Sequence, residues 1–203
     1  MTDTQHVAVL DFGSQYTQLI VRRVRELGYL AKLHAPEDLQ HLGQPGAIIL
    51  SGGPRSTSEV DAPDIDFEQL KAFQVPVLGV CYGMQLLNIK FGGTVHASDR
   101  REYGPAALHP THAQGLFAGV TPGSQVWMSH SDTVQQLPEG TQVLAMNQHG
   151  TPVSLQWCDN FYGIQFHPEV THSHQGTAIL RNFLATAPHL REFRIEDLSL
   201  IHI

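Results

Sequence analysis

The chain has 203 residues, of which 41% are hydrophobic and 15% charged, and its formal net charge at pH 7 is −7. This length suits one domain with its own core, and an acidic balance without a Lys/Arg cluster argues against a nucleic-acid-binding surface. No apolar run is long enough to span a membrane, no secretory signal is apparent, and two cysteines make no disulfide framework, so we expect a cytoplasmic protein.

Short apolar strands alternate with amphipathic helices over the first half of the chain. Strands are predicted at 7–10, 29–33, 47–50 and 75–80, and helices at 15–27, 64–73 and 83–91. The arginines of the first helix, Arg22, Arg23 and Arg25, are expected to form a solvated face. The alternation predicts a parallel sheet with helices on both faces, whose ligands bind beyond the carboxyl ends of the strands.

The second half has a different pattern. From Gly104 to Phe166, short strands are separated by turn signals such as residues 121–123 (TPG) and 138–140 (PEG). This pattern predicts antiparallel strands, some extending the main sheet and some forming a small side sheet. A final helix is expected over 174–186. The predicted fold is therefore α/β, with an open, mostly parallel sheet and a small antiparallel side sheet.

The chain divides at about residue 187. Residues 1–187 are predicted to form one domain, whereas residues 188–203 form a weakly patterned tail of doubtful origin. The last six residues, LSLIHI, resemble translated sequencing-adapter sequence. We therefore expect a truncation point in this tail, with the native sequence continuing into a further domain.

Cys81 is a candidate nucleophile because it lies at the junction of a predicted strand and a predicted helix. Gly79 and Gly83 would allow a sharp turn that leaves the sulfur accessible. The positive end of the helix dipole would favour the thiolate form of Cys81. The other cysteine, Cys158, follows Trp157 in a strand-like segment and is expected to be a small buried hydrophobic residue.

His167 and Glu169 could complete a catalytic triad with Cys81. Residues two apart in an extended segment point the same way, so Glu169 could orient His167, which would protonate the leaving amine. The oxyanion formed by attack on a carbonyl needs fixed donors. The backbone amides of Tyr82, at the start of the helix, and Gly53 could provide them.

Each of these signals has an ordinary alternative. A cysteine after a strand is by itself most often a buried structural thiol, and residues 51–54 (SGGP) alone are a turn. The pairs His172/His174 and His109/His112 lack further ligands at metal-binding spacing, so no metal site is predicted.

Two motifs in combination are more specific than any single residue. Residues 79–85 (GVCYGMQ) and 165–169 (QFHPE) resemble the class I, triad-type glutamine amidotransferases, and the likeness extends from residue 7 to about 186. The resemblance implies that Cys81, His167 and Glu169 are catalytic. It also implies release of ammonia from glutamine through a glutamyl thioester, on an open α/β sheet.

Further motifs look like those of the amidotransferase domains of GMP synthases: residues 11–16 (DFGSQY), 51–54 (SGGP), 101–104 (REYG), 127–130 (WMSH) and 167–172 (HPEVTH). This likeness implies that Gln85, Asp132 and Ser129 contact the substrate glutamine. Asp132 could otherwise be a turn residue. The chain departs from the family at Ser131, where Gly is usual. If that position needed a positive φ, Ser would be strained there.

The likeness also implies what the chain lacks. No cofactor is expected in this domain, because ATP and Mg would be bound by an ATP-pyrophosphatase synthetase domain or subunit that uses the ammonia to aminate XMP. Neither nucleic acid nor membrane is an expected partner. The alternatives are an amidotransferase subunit of another pathway, a cysteine hydrolase of γ-glutamyl compounds or peptides, and a non-catalytic regulatory subunit.

Overall fold

The computed structural model describes residues 5–192, without the side chains of 98–101. Within this range it has nine strands: β1 (His6–Leu10), β2 (Ala31–His34), β3 (Pro45–Leu50), β4 (Val77–Val80), β5 (Thr94–Pro110), β6 (Ser124–Gln136), β7 (Gln142–Asn147), β8 (Pro152–Cys158) and β9 (Phe161–Ile164). The α-helices are α1 (Thr17–Glu26), α2 (Phe67–Ala72), α3 (Tyr82–Lys90) and α4 (Gly176–Leu184), and two short 3-10 helices cover Pro36–His41 and Gly115–Phe117.

Five strands, in the order β2-β1-β3-β4-β9, form the parallel half of the sheet. Because helices cover both faces, β1 is buried along its whole length. Val7 and Val9 pack in a core with residues of α1 and α4, whereas Ala8 and Leu10 pack with residues of α2 and α3 on the other face. The expected α/β class is confirmed.

The antiparallel half continues the same sheet through β8, β7, β5 and β6. The expected side sheet is therefore not separate. β5 and β6 form a long two-stranded ribbon, of which only Leu108–Pro110 pairs with β7. The other end of the ribbon lies against α3, where Asn88 donates hydrogen bonds to the carbonyl oxygens of Thr94 and Gln136.

The sheet is strongly curved. Four strands separate β4 from β6 in the sheet order, which would place them about 24 Å apart in a flat sheet. Yet the Sγ of Cys81, directly after β4, lies 3.7 Å from the carbonyl oxygen of Ser129 in β6. The amide of His167 also donates to the carbonyl of Trp127 in β6, at 3.0 Å. The curvature thus brings β6 over the carboxyl ends of the parallel strands.

Two surface predictions need correction. Cys158 is exposed, because Trp157 takes the buried face at the end of β8 and the next residue points to the opposite face. Of the three arginines of α1, Arg22 is 72% exposed, as expected. Arg25 is also exposed, although it donates a hydrogen bond to the carbonyl oxygen of Ala31, whereas Arg23 is only half-buried and donates to the carbonyl oxygen of Glu169.

The predicted domain boundary at residue 187 follows the end of α4 and stays a prediction. The tail predicted from residue 188 is described only as far as residue 192, and residues 193–203 lie outside the described range. Across residues 5–192, none of the helices has the length and apolar character needed to cross a bilayer.

Candidate active site

Cys81 occupies a tight turn between β4 and α3. Its backbone has φ +51° and ψ −104°, a conformation that non-glycine residues rarely adopt and that costs on the order of 1–3 kcal/mol. Two constraints hold it there. Its amide donates to the carbonyl of Ile164 at 2.8 Å, and a Cβ on Gly79 would lie 2.5 Å from the backbone of Gly83. The absence of a side chain on Gly79 therefore allows α3 to start directly against β4.

His167 and Glu169 form a buried pair beside Cys81. The Nδ1 of His167 is 2.7 Å from Oε1 of Glu169, which is completely buried. A Cβ on Gly52 would lie 3.0 Å from the His167 ring and 3.6 Å from the Cβ of Cys81, so both side chains converge on this glycine. The edge-on ring of Tyr16, with centroids 5.1 Å apart, also fixes the imidazole. Base and carboxylate thus lie side by side, although residues 168 and 169 form a turn and not the expected extended segment.

His167 carries a proton at neutral pH. Burial by itself lowers the pKa of His167, but hydrogen bonds and charge interactions with Cys81 and Glu169 outweigh burial and raise the pKa to about 10. With Nδ1 facing Glu169, the other ring nitrogen remains to face the sulfur. The arrangement can therefore present a nucleophile to the carbonyl carbon of a bound amide and a proton donor to its nitrogen.

The two predicted oxyanion donors are available. Neither the Tyr82 amide, in the first turn of α3, nor the Gly53 amide donates a hydrogen bond to another group in residues 5–192. A Cβ on Gly53 would lie 2.7 Å from the carbonyl oxygen of Phe12, so this position accepts only glycine without a shift. The Tyr82 phenol donates to the carbonyl of Pro63, which anchors the start of α3.

A cavity of about 500 Å³ opens at this end of the sheet. It is lined by residues from the loops after β1, β3, β4 and β9 and from β5 and β6: Gly13, Ser14, Gln15, Tyr16, Gly53, Pro54, Arg55, Ser56, Glu59, Cys81, Tyr82, Gln85, Tyr103, Ser129, His130, Ser131, Asp132 and His167. Every predicted site residue lines it except Glu169, which lies behind His167.

Asp132 is a buried residue inside β6 and not a turn residue. One carboxylate oxygen accepts a hydrogen bond from the Ser56 hydroxyl, and the side-chain amide of Gln85 donates to the Asp132 carbonyl at 2.9 Å. Gln85 therefore also positions Asp132, besides lining the cavity. Ser131 does not have a positive φ, so the anticipated strain is absent.

Several cavity residues were not predicted. Ser56 is 76 residues from Asp132, so no local pattern could connect them. The Nδ1 of His130 donates a hydrogen bond to the Asp132 carbonyl oxygen, at 2.9 Å, and its Nε2 is 3.6 Å from Glu102. Both His130 and Glu102 lie in recognised motifs, but only the pairing of β5 with β6 shows that they face each other.

The imidazole of His130 is expected to be neutral. Burial lowers its pKa, and the nearby Glu102 and Asp132 only partly offset this effect. Within residues 5–192, no three His, Cys, Asp or Glu side chains cluster in a way that could hold a metal ion.

The chain is similar in sequence to one enzyme family and to longer members of it. The family described as glutamine amidotransferase class-I matches residues 8–187. The glutamine-hydrolyzing GMP synthase of Thermosipho africanus is 49% identical over 184 residues, which are 88% of this chain and 35% of the relative. That of Cytophaga hutchinsonii is 46% identical over 184 residues, 89% of this chain and 36% of the relative. The chain thus spans about a third of the length of the curated relatives it matches.

A solved structure of similar length also matches. A protein from Thermoplasma acidophilum, provisionally described as one subunit of a GMP synthase, has a TM-score of 0.81 and 28% sequence identity. The match covers 92% of this chain and 96% of that protein.

Proposed function

Because the chain belongs to the class-I glutamine amidotransferase family, we propose that it hydrolyses the side-chain amide of glutamine to glutamate and ammonia. The observation that carries the proposal is the buried His167–Glu169 pair at 2.7 Å, which converges with Cys81 on one cavity. This arrangement provides the nucleophile, the proton donor and the orienting carboxylate that amide hydrolysis requires.

The proposed reaction proceeds in two halves. The Cys81 sulfur attacks the γ-carbonyl carbon of glutamine, and the amides of Tyr82 and Gly53 stabilise the oxyanion. When the C–N bond breaks, His167 gives its proton to the leaving nitrogen and ammonia departs, leaving a γ-glutamyl thioester on Cys81. Water then attacks the thioester as His167 takes its proton, the C–S bond breaks, and glutamate leaves.

The cavity also supports the proposed substrate. The Asp132 carboxylate is buried and suits the α-ammonium of an amino acid, since a charge-assisted hydrogen bond favours this pairing. Gln85 and Ser129 line the cavity between Asp132 and Cys81, where they could contact the glutamine side chain.

We further propose that the ammonia is used for GMP synthesis. The relatives at 46–49% identity are glutamine-hydrolyzing GMP synthases about three times as long as the matched segment. The remaining two thirds of such a protein, or a separate subunit, would bind ATP, Mg and XMP. The Thermoplasma protein, 96% of which the match covers, is itself provisionally described as one subunit of a GMP synthase. A reducing cytoplasm is the proposed location, because the Cys81 nucleophile must stay unoxidised.

The first prediction concerns Cys81. Cys81→Ala removes the nucleophile, so glutamine hydrolysis should fall at least about a thousandfold. Glutamate release from L-glutamine by the purified chain measures this effect.

Cys158→Ala is the matched control for this test. Cys158 is exposed and outside the cavity, so its loss should leave the rate within about twofold of the original. Substantial hydrolysis by Cys81→Ala would refute the proposed mechanism.

A further inference from the structure

The proposed substrate carries a charge that the site residues named so far do not match. Glutamine has an α-carboxylate in addition to its α-ammonium and its side-chain amide. Among the described residues that line the cavity, the basic side chains are Arg55, His130 and His167. His167 is engaged with Glu169, and burial favours neutral His130. Among the side chains that the structure describes, Arg55 is thus the remaining cation that could face the carboxylate.

The position of Arg55 agrees with this assignment. Arg55 is bonded to Ser56, whose hydroxyl donates to the Asp132 carboxylate. In an α-amino acid, the amino nitrogen and the carboxyl carbon are both bonded to Cα and lie about 2.5 Å apart. If Asp132 binds the ammonium, the substrate carboxylate must therefore lie next to the ammonium. It is then within reach of a side chain on the loop after β3, to which Arg55 belongs.

The present contacts of Arg55 leave the terminal nitrogens of its guanidinium available to a ligand. The Nε of Arg55 forms an ion pair with Glu59, and Glu59 also accepts a hydrogen bond from the Ser56 amide, at 2.8 Å. The two terminal nitrogens of the guanidinium have no partner among residues 5–192. The pair is weak because both side chains are 43% exposed, and a substrate carboxylate can compete for the guanidinium.

We propose that Arg55 binds the α-carboxylate of glutamine, which takes the place of Glu59 at the guanidinium. The proposal rests on the proposed function. Arg55 provides planar, paired donors that suit a carboxylate, so it would select amino acids with a free α-carboxylate over substrates in which that group is blocked.

Protection of Cys81 from iodoacetamide tests the proposal without requiring turnover. L-glutamine and its α-amide, which lacks the carboxylate charge, are each titrated against alkylation of Cys81. In Arg55→Gln, half-protection should require about tenfold more glutamine than in the original chain, and the α-amide should protect both proteins equally. Where hydrolysis is measurable, KM should rise with little change in kcat.

Three further variants sharpen the test. Arg22→Gln is the matched control, because Arg22 forms the same kind of i,i+4 pair with Glu26 outside the cavity. In this variant, glutamine should protect Cys81 as well as it does in the original chain. Arg55→Lys, which keeps the charge, should fall between Arg55→Gln and the original. Glu59→Gln keeps the acceptor for the Ser56 amide but releases Arg55. Half-protection of Cys81 should therefore require less glutamine than in the original chain.

The outcomes separate this proposal from the one on which it rests. If glutamine protects the original chain and Arg55→Gln equally, Arg55 is only a partner in a surface ion pair and the inference is wrong. If glutamine does not protect Cys81 in the original chain, both the proposed function and this inference fail.

Discussion

The pairing of His167 with Glu169 makes a single proton important to the stability of the protein. Glu169 is completely buried, and only one of its two carboxylate oxygens has a hydrogen-bond partner in residues 5–192. Burial of such a group is tolerated when it faces a protonated partner. The raised pKa of His167 therefore also contributes to the free energy of unfolding.

The pH dependence of this contribution can be predicted. The pKa of His167 is raised from 6.5 to about 10, so its stabilising contribution is complete below about pH 6.5 and is lost as the pH rises towards 10. Glu169→Gln removes the charge that stabilises the imidazolium. The difference in free energy of unfolding between the original chain and this variant should therefore shrink from pH 6.5 to pH 10. Urea unfolding at several pH values measures it.

Glu68→Gln is the control for the pH series. Glu68 is 83% exposed in its pair with Lys71, so its substitution should produce a small difference that stays flat over the same range. A difference for Glu169→Gln that grows with pH would contradict the assigned protonation of His167.

At the scale of residues, predictability depended on distance along the chain. The pairing of His167 with Glu169 is expected from a spacing of two in extended backbone, but β9 ends at Ile164 and residues 168 and 169 form a turn, so the pair arises from a different local geometry. The contact of Ser56 with Asp132 was not found, since it joins residues 76 apart. Cys158 was assigned the wrong environment because its neighbour Trp157, and not its own apolar character, decides which face is buried.

At the scale of elements, close packing between β4, α3 and β3 determines where the nucleophile lies. A Cβ on Gly83, in the first turn of α3, would lie 2.5 Å from the carbonyl oxygen of Leu50 in β3. Backbone atoms on both sides leave little freedom to relax. The helix can therefore approach the sheet only if this position has no side chain.

Gly83→Ala should consequently destabilise the protein by about 3 kcal/mol, because either α3 or β3 must move. Chemical denaturation monitored by circular dichroism measures the loss. A contrasting variant is Gly150→Ala, where φ is +77° but no atom lies within 4 Å of the added Cβ. That substitution should cost only about 1 kcal/mol, for backbone conformation alone. Equal losses in the two variants would show that packing at Gly83 is not limiting.

The order of elements in the first half was predictable, since alternating period-2 and period-3.6 patterns distinguish strands from helices. The ends were less accurate: α4 covers Gly176–Leu184, whereas 174–186 was expected. The ribbon of β5 and β6 could not be derived, because its break in register between Ala97 and Glu102 interrupts any continuous alternation.

At the scale of the whole molecule, the cavity lies where the two halves of the sheet meet. Cys81 and His167 follow parallel strands, whereas Ser129 and Asp132 belong to an edge strand of the antiparallel half. Small shifts of β6 or of the loop after β3 would change the distance between the nucleophile and the proposed substrate-binding groups. A partner bound near this junction could therefore increase activity by favouring an arrangement in which Cys81 and these groups lie at the distance that the substrate requires.

Coupling to a synthetase is the expected consequence. Adding the synthetase part of a GMP synthase, together with XMP and ATP, should raise the rate of glutamine hydrolysis by the chain, measured as glutamate release. A mixture containing Cys81→Ala should make GMP from ammonium salts but not from glutamine. A hydrolysis rate that does not change when XMP and ATP are added would indicate another acceptor of the ammonia.

The curvature that places β6 over Cys81 also affects the protein during its synthesis. A nascent chain exposes Cys81 long before β6, and β6 before His167 and Glu169. Until Glu169 has been synthesised, the Cys81 thiol lacks both its base and a complete cavity. This holds even if the other strands have already folded. The proposed release of ammonia is therefore confined to fully synthesised domains. Incomplete translation products would not hydrolyse glutamine.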